Sequence, residues 1–181
     1  MKNKFCFLFI WIISLSGCKK FLQEDPQGIL VGDIALSNEN GLNAQLAGIY
    51  SPLMQAWTSG FASSAQIGLS MGGDDVTTHP LSNKEDFRQF DQLAVTPTDA
   101  RADEVWSGCY KAIQSANNII NNYEKVTGDQ DHIKAIAGEA FFFRGMCYYY
   151  LVRWWGKIPV ITSANFDPSM LEMKSSEIPD V

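Results

Sequence analysis

The chain has 181 residues, 46% hydrophobic and 19% charged, a balance that suits one folded domain with its own core and excludes a disordered chain. Its formal net charge is −6, and loss of Lys2 and Lys4 with a leader leaves 12 basic against 20 acidic residues, or −8. A surface of that sign repels phosphate backbones, and no Lys/Arg cluster with interleaved aromatics offsets it, so no nucleic-acid partner is expected.

Lys2 and Lys4 precede an apolar run from Phe5 to Leu15 that only Ser14 interrupts. The run is shorter than the ~20 residues of a membrane span and fits the apolar region of a secretory leader. Leu15-Ser16-Gly17-Cys18 then looks like a bacterial lipobox, small residues ahead of a cysteine whose thiol takes a diacylglyceryl group. Residues 1–17 read as a lipoprotein signal peptide, Cys18 as the lipidated N-terminus, and residues 18–36 as a polar tether passing into an extended arm. Several acyl chains on one residue hold firmly where a single chain is marginal.

Residues 37–181 read as a helical domain. A first helix starts near Ser37 or Asn38, either a good cap, and carries Leu42, Leu46, Ile49, Tyr50, Leu53 and Trp57 at helical spacing. Pro52 should kink or end it. From Thr58 to Thr98 periodicity fades and Gly and Pro punctuate the chain, as in a long functional loop. A second helix begins at Thr98 or Asp99, shows a stripe from Val105 and Trp106 to Tyr123, and should stop at Gly128. The third, capped by Asp129 or Asp131, spans about Ile133 to Trp155 with Gly156 as its stop. It is apolar nearly all round, which predicts burial on several sides by more than two helices can supply. The chain reads as the N-terminal fragment of something longer. Cys109 and Cys147 fall on different helices, whose usual 8–10 Å separation exceeds comfortable bridging distance, so buried free thiols are expected.

Four segments carry a resemblance. Cys18 is followed by Phe21-Leu22 and Pro26; Leu46-Ala47-Gly48-Ile49-Tyr50 lies on the first helix; Trp106, Tyr110, Ile113, Ala116-Asn117 and Ile119-Ile120 follow W-x3-Y-x2-I-x2-A-N-x-I. Gly138-Glu139-Ala140, Arg144, Tyr148, Leu151 and Gly156-Lys157-Ile158-Pro159 follow E-A-x-F-x-R-A-x-x-Y-x-x-L-x-x-x-x-G-x-x-P, with Gly145 in place of the usual Ala. In this order and spacing the chain resembles the start of SusD/RagB proteins. The resemblance implies an all-α fold of tetratricopeptide-like helix pairs with long loop insertions. It further implies a surface-exposed lipoprotein of the outer membrane that binds an oligosaccharide or other nutrient and delivers it to a SusC-like TonB-dependent transporter.

Other patterns compete with that reading. Gly68-Leu69-Ser70-Met71-Gly72 matches the G-x-S-x-G elbow of serine hydrolases, but that chemistry needs a preceding strand and later acid and histidine partners. A structural surface lipoprotein would share the anchor and bind no soluble ligand. Asp74-Asp75 with His79 is a poor start for a hard-cation site, and in the resembled family an acidic pair there suggests a role in fixing the loop. Glu139 and Arg144, charged on the most apolar helix, are expected to tie it to its neighbours. Trp154, Trp155 and the Tyr148-Tyr149-Tyr150 run could stack sugars, although their helical location favours the core. The loop is the better place for ligand: His79, Asn83, Phe87 and Arg88 offer one stacking ring among hydrogen-bonding groups. No catalytic residue, metal or cofactor is assigned.

Overall fold

A computed structural model describes residues 36–54, 60–165 and 167–177. The expected leader, Cys18, the tether up to residue 35, and Trp57 lie outside them.

Asn38 opens the first helix. Its side chain accepts from the Gly41 amide at 3.0 Å, satisfying one of the donors a helix start leaves unpaired. Helix α1 then runs Glu39–Leu53 and ends one residue past Pro52. Helices α2, Phe61–Ser70, and α3, Glu85–Asp91, follow. Asp99 caps α4, Ala100–Ile120, by accepting from the amides of Arg101 and Ala102. Asp129 does the same for α5, Gln130–Trp155, through Asp131 and His132. Gly156, at φ +74, ends α5 in a conformation that a β-carbon would strain. Among the described residues there is no strand, only an isolated bridge between Asn38 and Thr127, and no helix is long and apolar enough to cross a membrane.

Helices α1, α4 and α5 make the core. Gln45 on α1 bonds Asn118 on α4, while Gly48 lies against Ser115 and the Pro52 carbonyl near Gly108, so the two helices run antiparallel. Helix α5 returns antiparallel to α4, pairing Trp106 with Trp155 at one end and Asn117 with Arg144 further along. Leu42, Ile49, Val105, Ile113, Ile119, Ile133, Ile136 and Leu151 are essentially fully buried between them. Each such side chain contributes about 1.5–3 kcal/mol by leaving water. This is an all-α fold of paired helices with long loop insertions.

Beyond Gly156 the chain turns back across the α4–α5 pair without forming a strand. Helix side chains hold its carbonyls instead: Tyr110 donates to Pro159, Tyr148 and Asn117 to Ile161, Asn121 to Thr162, and Gln114 to Ala164. The Tyr148 hydroxyl also accepts from the Ile161 amide, each bond 2.7 Å. The spacing of Tyr110, Asn117 and Tyr148 that carried the resemblance is thus the spacing that grips this strap. Burial lifts the phenols of Tyr110 and Tyr148 above their ordinary pKa, which keeps them neutral and able to donate.

Glu139 and Arg144 tie α5 to its neighbours as expected. Tyr50 donates to the Glu139 carboxylate at 2.7 Å and Arg144 donates to Asn117 at 2.9 Å. Cys109 and Cys147 are fully buried free thiols. Contact with the Cys147 thiol, and then burial, push the Cys109 thiol far above its ordinary pKa.

Two expectations are corrected. The stretch Thr58–Thr98 is not one irregular loop, because α2 and α3 lie within it. Helix α2 buries only Phe61, Ser64 and Ala65, too few and too small to give an apolar period. Helix α4 stops at Ile120 and not at Gly128. Asn121 and Asn122 turn their side chains onto the carbonyls of Thr162 and Asn118, and a 3₁₀ turn at Tyr123–Lys125 follows. Helix α5 keeps an uncovered side, as its all-round apolar character against two helices implied: Phe141, Phe142 and Tyr149 are 47%, 66% and 58% exposed.

Candidate ligand-binding clefts

A buried polar network places α3. Arg101, only 6% exposed, binds Asp86 on α3 at 2.6 Å and Glu104 on its own helix at 3.1 Å, and Glu104 accepts from Ser64 on α2. A buried guanidinium is costly unless its donors are matched, so this network pins α2, α3 and α4 to one geometry. The Arg101 guanidinium also lies 4.7 Å from the centre of the Phe87 ring, and Lys84 approaches that ring at 5.8 Å.

These contacts decide what the four loop candidates are free to do. Phe87 is already covered by two cations. Arg88 bonds Glu85 at 2.8 Å and the Ser82 carbonyl at 2.7 Å, with a longer contact to Pro80, so it fixes the loop that leads into its own helix. His79 Nδ1 accepts from the Leu81 amide at 3.2 Å, and Asn83 is exposed. None of the four lines either of the two clefts beside Trp154. Asp91 ties down the same loop by accepting from the Thr77 hydroxyl and Thr78 amide, and those bonds hold its carboxyl below the usual range. Asp74 and Asp75 stand exposed in the turn after α2.

Ser70 is not an elbow nucleophile. It is the last residue of a helix, follows no strand, and accepts from Gln66 of the same helix at 3.0 Å. The Gly68 of that motif has another use: a β-carbon there would fall 2.3 Å from the edge of the Trp154 indole. Glycine is what lets Trp154 lie against α2.

Two aromatic clefts flank Trp154. The first, about 360 Å³, lies between α2, α3 and α5 and is walled by Gly68, Leu69, Phe90, Tyr149, Tyr150, Arg153 and Trp154. Phe90 meets Trp154 edge-on at 5.5 Å, and Tyr149 meets Tyr150 edge-on at 5.9 Å. The second, about 530 Å³, is bounded by Trp106, Trp154, Trp155, Pro97 and Asp103. Helical location favoured the core over sugar stacking for the tyrosine run and both tryptophans, and the structure divides them. Tyr148 is buried, Tyr149 is open to solvent, and Tyr150, Trp154 and Trp155 are half-buried. The signal was present in the helical period, because Tyr149 and Arg153, four residues apart, fall off the stripe of Ala140, Cys147 and Leu151.

Comparison with known proteins accords with this architecture. A family described as starch-binding and associating with the outer membrane matches residues 31–177. SusD-like protein P2 of Formosa agariphila is 27% identical over 173 residues, 94% of this chain and 33% of that protein. A SusD-like protein of Bacteroides ovatus is 28% identical over 167 residues, 89% of this chain and 29% of its own length. The chain therefore spans about a third of the length of the curated relatives it matches. Among solved structures, a SusD-like protein of Bacteroides fragilis superposes with a TM-score of 0.63 at 18% identity, over 87% of this chain and 29% of that one. A SusD-like carbohydrate-binding protein of the same species gives 0.61 at 13%, over 82% and 29%. At such identities these two speak for the fold alone. The family match spans residues 31–177, most of the chain: the chain belongs to the SusD-like family.

Proposed function

We propose that this protein is a lipid-anchored, surface-exposed glycan-binding component of the outer membrane that hands captured ligand to a SusC-like TonB-dependent transporter. The observation that carries the reading is the match of residues 31–177 to a starch-binding, outer-membrane-associated family. The Leu15-Ser16-Gly17-Cys18 boundary supports the anchor, with acylation at Cys18. Aromatic clefts that also present polar side chains support a ligand with apolar faces and hydroxyl edges. No catalytic step is part of the function. Within the loop, the exposed His79 and Asn83 serve as outlying polar contacts, with Phe87 and Arg88 holding the surface that presents them. Wet contacts of about 1 kcal/mol each give micromolar to millimolar affinity, which suits a protein that must release its ligand to a partner.

In its natural host the wild-type protein should fractionate with the outer membrane, be cut by protease added to intact cells, and copurify with a TonB-dependent transporter. Cys18→Ala should leave the membrane fraction. Normal processing and fractionation of that variant would refute the anchor, and a wild-type protein shielded from protease would refute surface exposure.

A further inference from the structure

The cleft between α2, α3 and α5 carries side chains that the fold itself does not use. Tyr149 is 58% exposed, and the Arg153 guanidinium lies over its ring at 5.3 Å. Among the described residues, neither Arg153 nor the hydroxyls of Tyr149 and Tyr150 hydrogen-bond to another protein group. Arg101 and Arg144 are by contrast drawn into structural bonds. Behind these free donors stand the apolar walls, Phe90, 8% exposed, and Trp154. The volume of about 360 Å³ lies at the small end of ligand clefts, which run to about 300–1,000 Å³.

Aromatic faces ringed by unused donors select among ligands. A hydrocarbon chain would fill the walls and strip water from Arg153 and two phenols without replacing its hydrogen bonds. A phosphate would find one cation and no backbone nest to hold it. A pyranose matches both halves, because its C–H face is apolar and its rim of hydroxyls both donates and accepts. We propose that this cleft is a sugar subsite. Tyr149 stacks on the C–H face of a pyranose ring, Trp154 and Phe90 form the apolar floor, and Arg153 with the Tyr150 hydroxyl bonds the ring hydroxyls. The proposal rests on the glycan-binding reading and deepens it, by seating one sugar ring on α5 against Phe90 of α3.

The test titrates the purified full chain with maltohexaose, cellohexaose, xylohexaose and laminarihexaose, read by calorimetry and by tryptophan emission. At least one sugar should bind and shift the emission. For the tightest of them, Tyr149→Ala should weaken binding about tenfold and Arg153→Ala about fivefold, while Tyr149→Phe stays within about twofold. Both side chains are exposed, so the thermal melts should not move. Binding that survives Tyr149→Ala and Arg153→Ala overturns the subsite and leaves the glycan reading intact. Binding of none of the four sugars overturns the glycan reading and the subsite with it. A melting temperature lowered in both alanine variants marks the cleft as a packing surface for polypeptide, and that also overturns the subsite.

Discussion

Asn117 accepts a 2.9 Å hydrogen bond from Arg144 while donating to the carbonyls of Ile161 and Ser163 at 2.8 and 3.3 Å. One fully buried amide thereby joins α4, α5 and the strap that follows α5. Asn117→Ala leaves the Arg144 guanidinium and the Ser163 carbonyl short of a partner, while the Ile161 carbonyl keeps Tyr148, and should cost about 2–3 kcal/mol. Urea denaturation followed by helical circular dichroism measures it. A double-mutant cycle with Arg144→Ala should return a coupling of about 1 kcal/mol, and a coupling near zero would place the Arg144 contribution elsewhere.

The glycines should respond in opposite directions. Gly68→Ala drives a methyl into Trp154 and should destabilise by about 1–3 kcal/mol with a shift in tryptophan emission. Gly138 and Gly145 lie within α5 with open space where a β-carbon would go. Alanine at either should stabilise by about 0.5–1 kcal/mol, by restricting the unfolded chain and favouring helix. Thermal melts of the three variants separate the cases.

Phe87→Ala removes the ring that covers the Arg101 guanidinium, so it should lower stability by about 1–2 kcal/mol. Unchanged stability with lost ligand affinity would instead make Phe87 a ligand-facing ring.

Acid should loosen the loop ahead of α3. The bonds from Thr78 and Thr77 favour the charged form of Asp91 and lower its pKa in the folded state. The tie is therefore fully present above the ordinary carboxylate pKa and is lost as pH falls through the lower, folded value. The Thr78 amide should lose hydrogen-exchange protection on acidification through that range. Asp91→Asn should show less protection at neutral pH and a weaker response to acid.

Much of the helical frame is written locally. Asn38, Asp99 and Asp129 cap the three long helices with their own side chains, and Gly156 ends α5 through its own backbone, so each signal sits within a few residues of its effect. The missed elements depend on distant partners. Helix α3 has a single buried apolar residue, Phe90, and is held by Asp86 reaching Arg101, fifteen positions away. The end of α4 depends on Asn121 finding Thr162, which no local pattern announces. The cleft was obscured for a related reason. Composition marks Tyr149, Tyr150 and Trp154 alike; the helical period sets Tyr149 off the buried stripe, and the placement of α2 and α3 then makes the wall of a cleft there.

The strap from Pro159 to Ala164 is held by its carbonyls, and that makes α4 a ruler for the chain leaving α5. Tyr110, Gln114, Asn117 and Asn121 address peptide oxygens that every residue possesses, so these bonds do not depend on the strap's own side chains. Its length is another matter. An extended chain advances about 3.3 Å per residue, so removing one peptide moves every downstream oxygen by more than the length of a hydrogen bond. Related chains should therefore rarely vary in residue count across this segment.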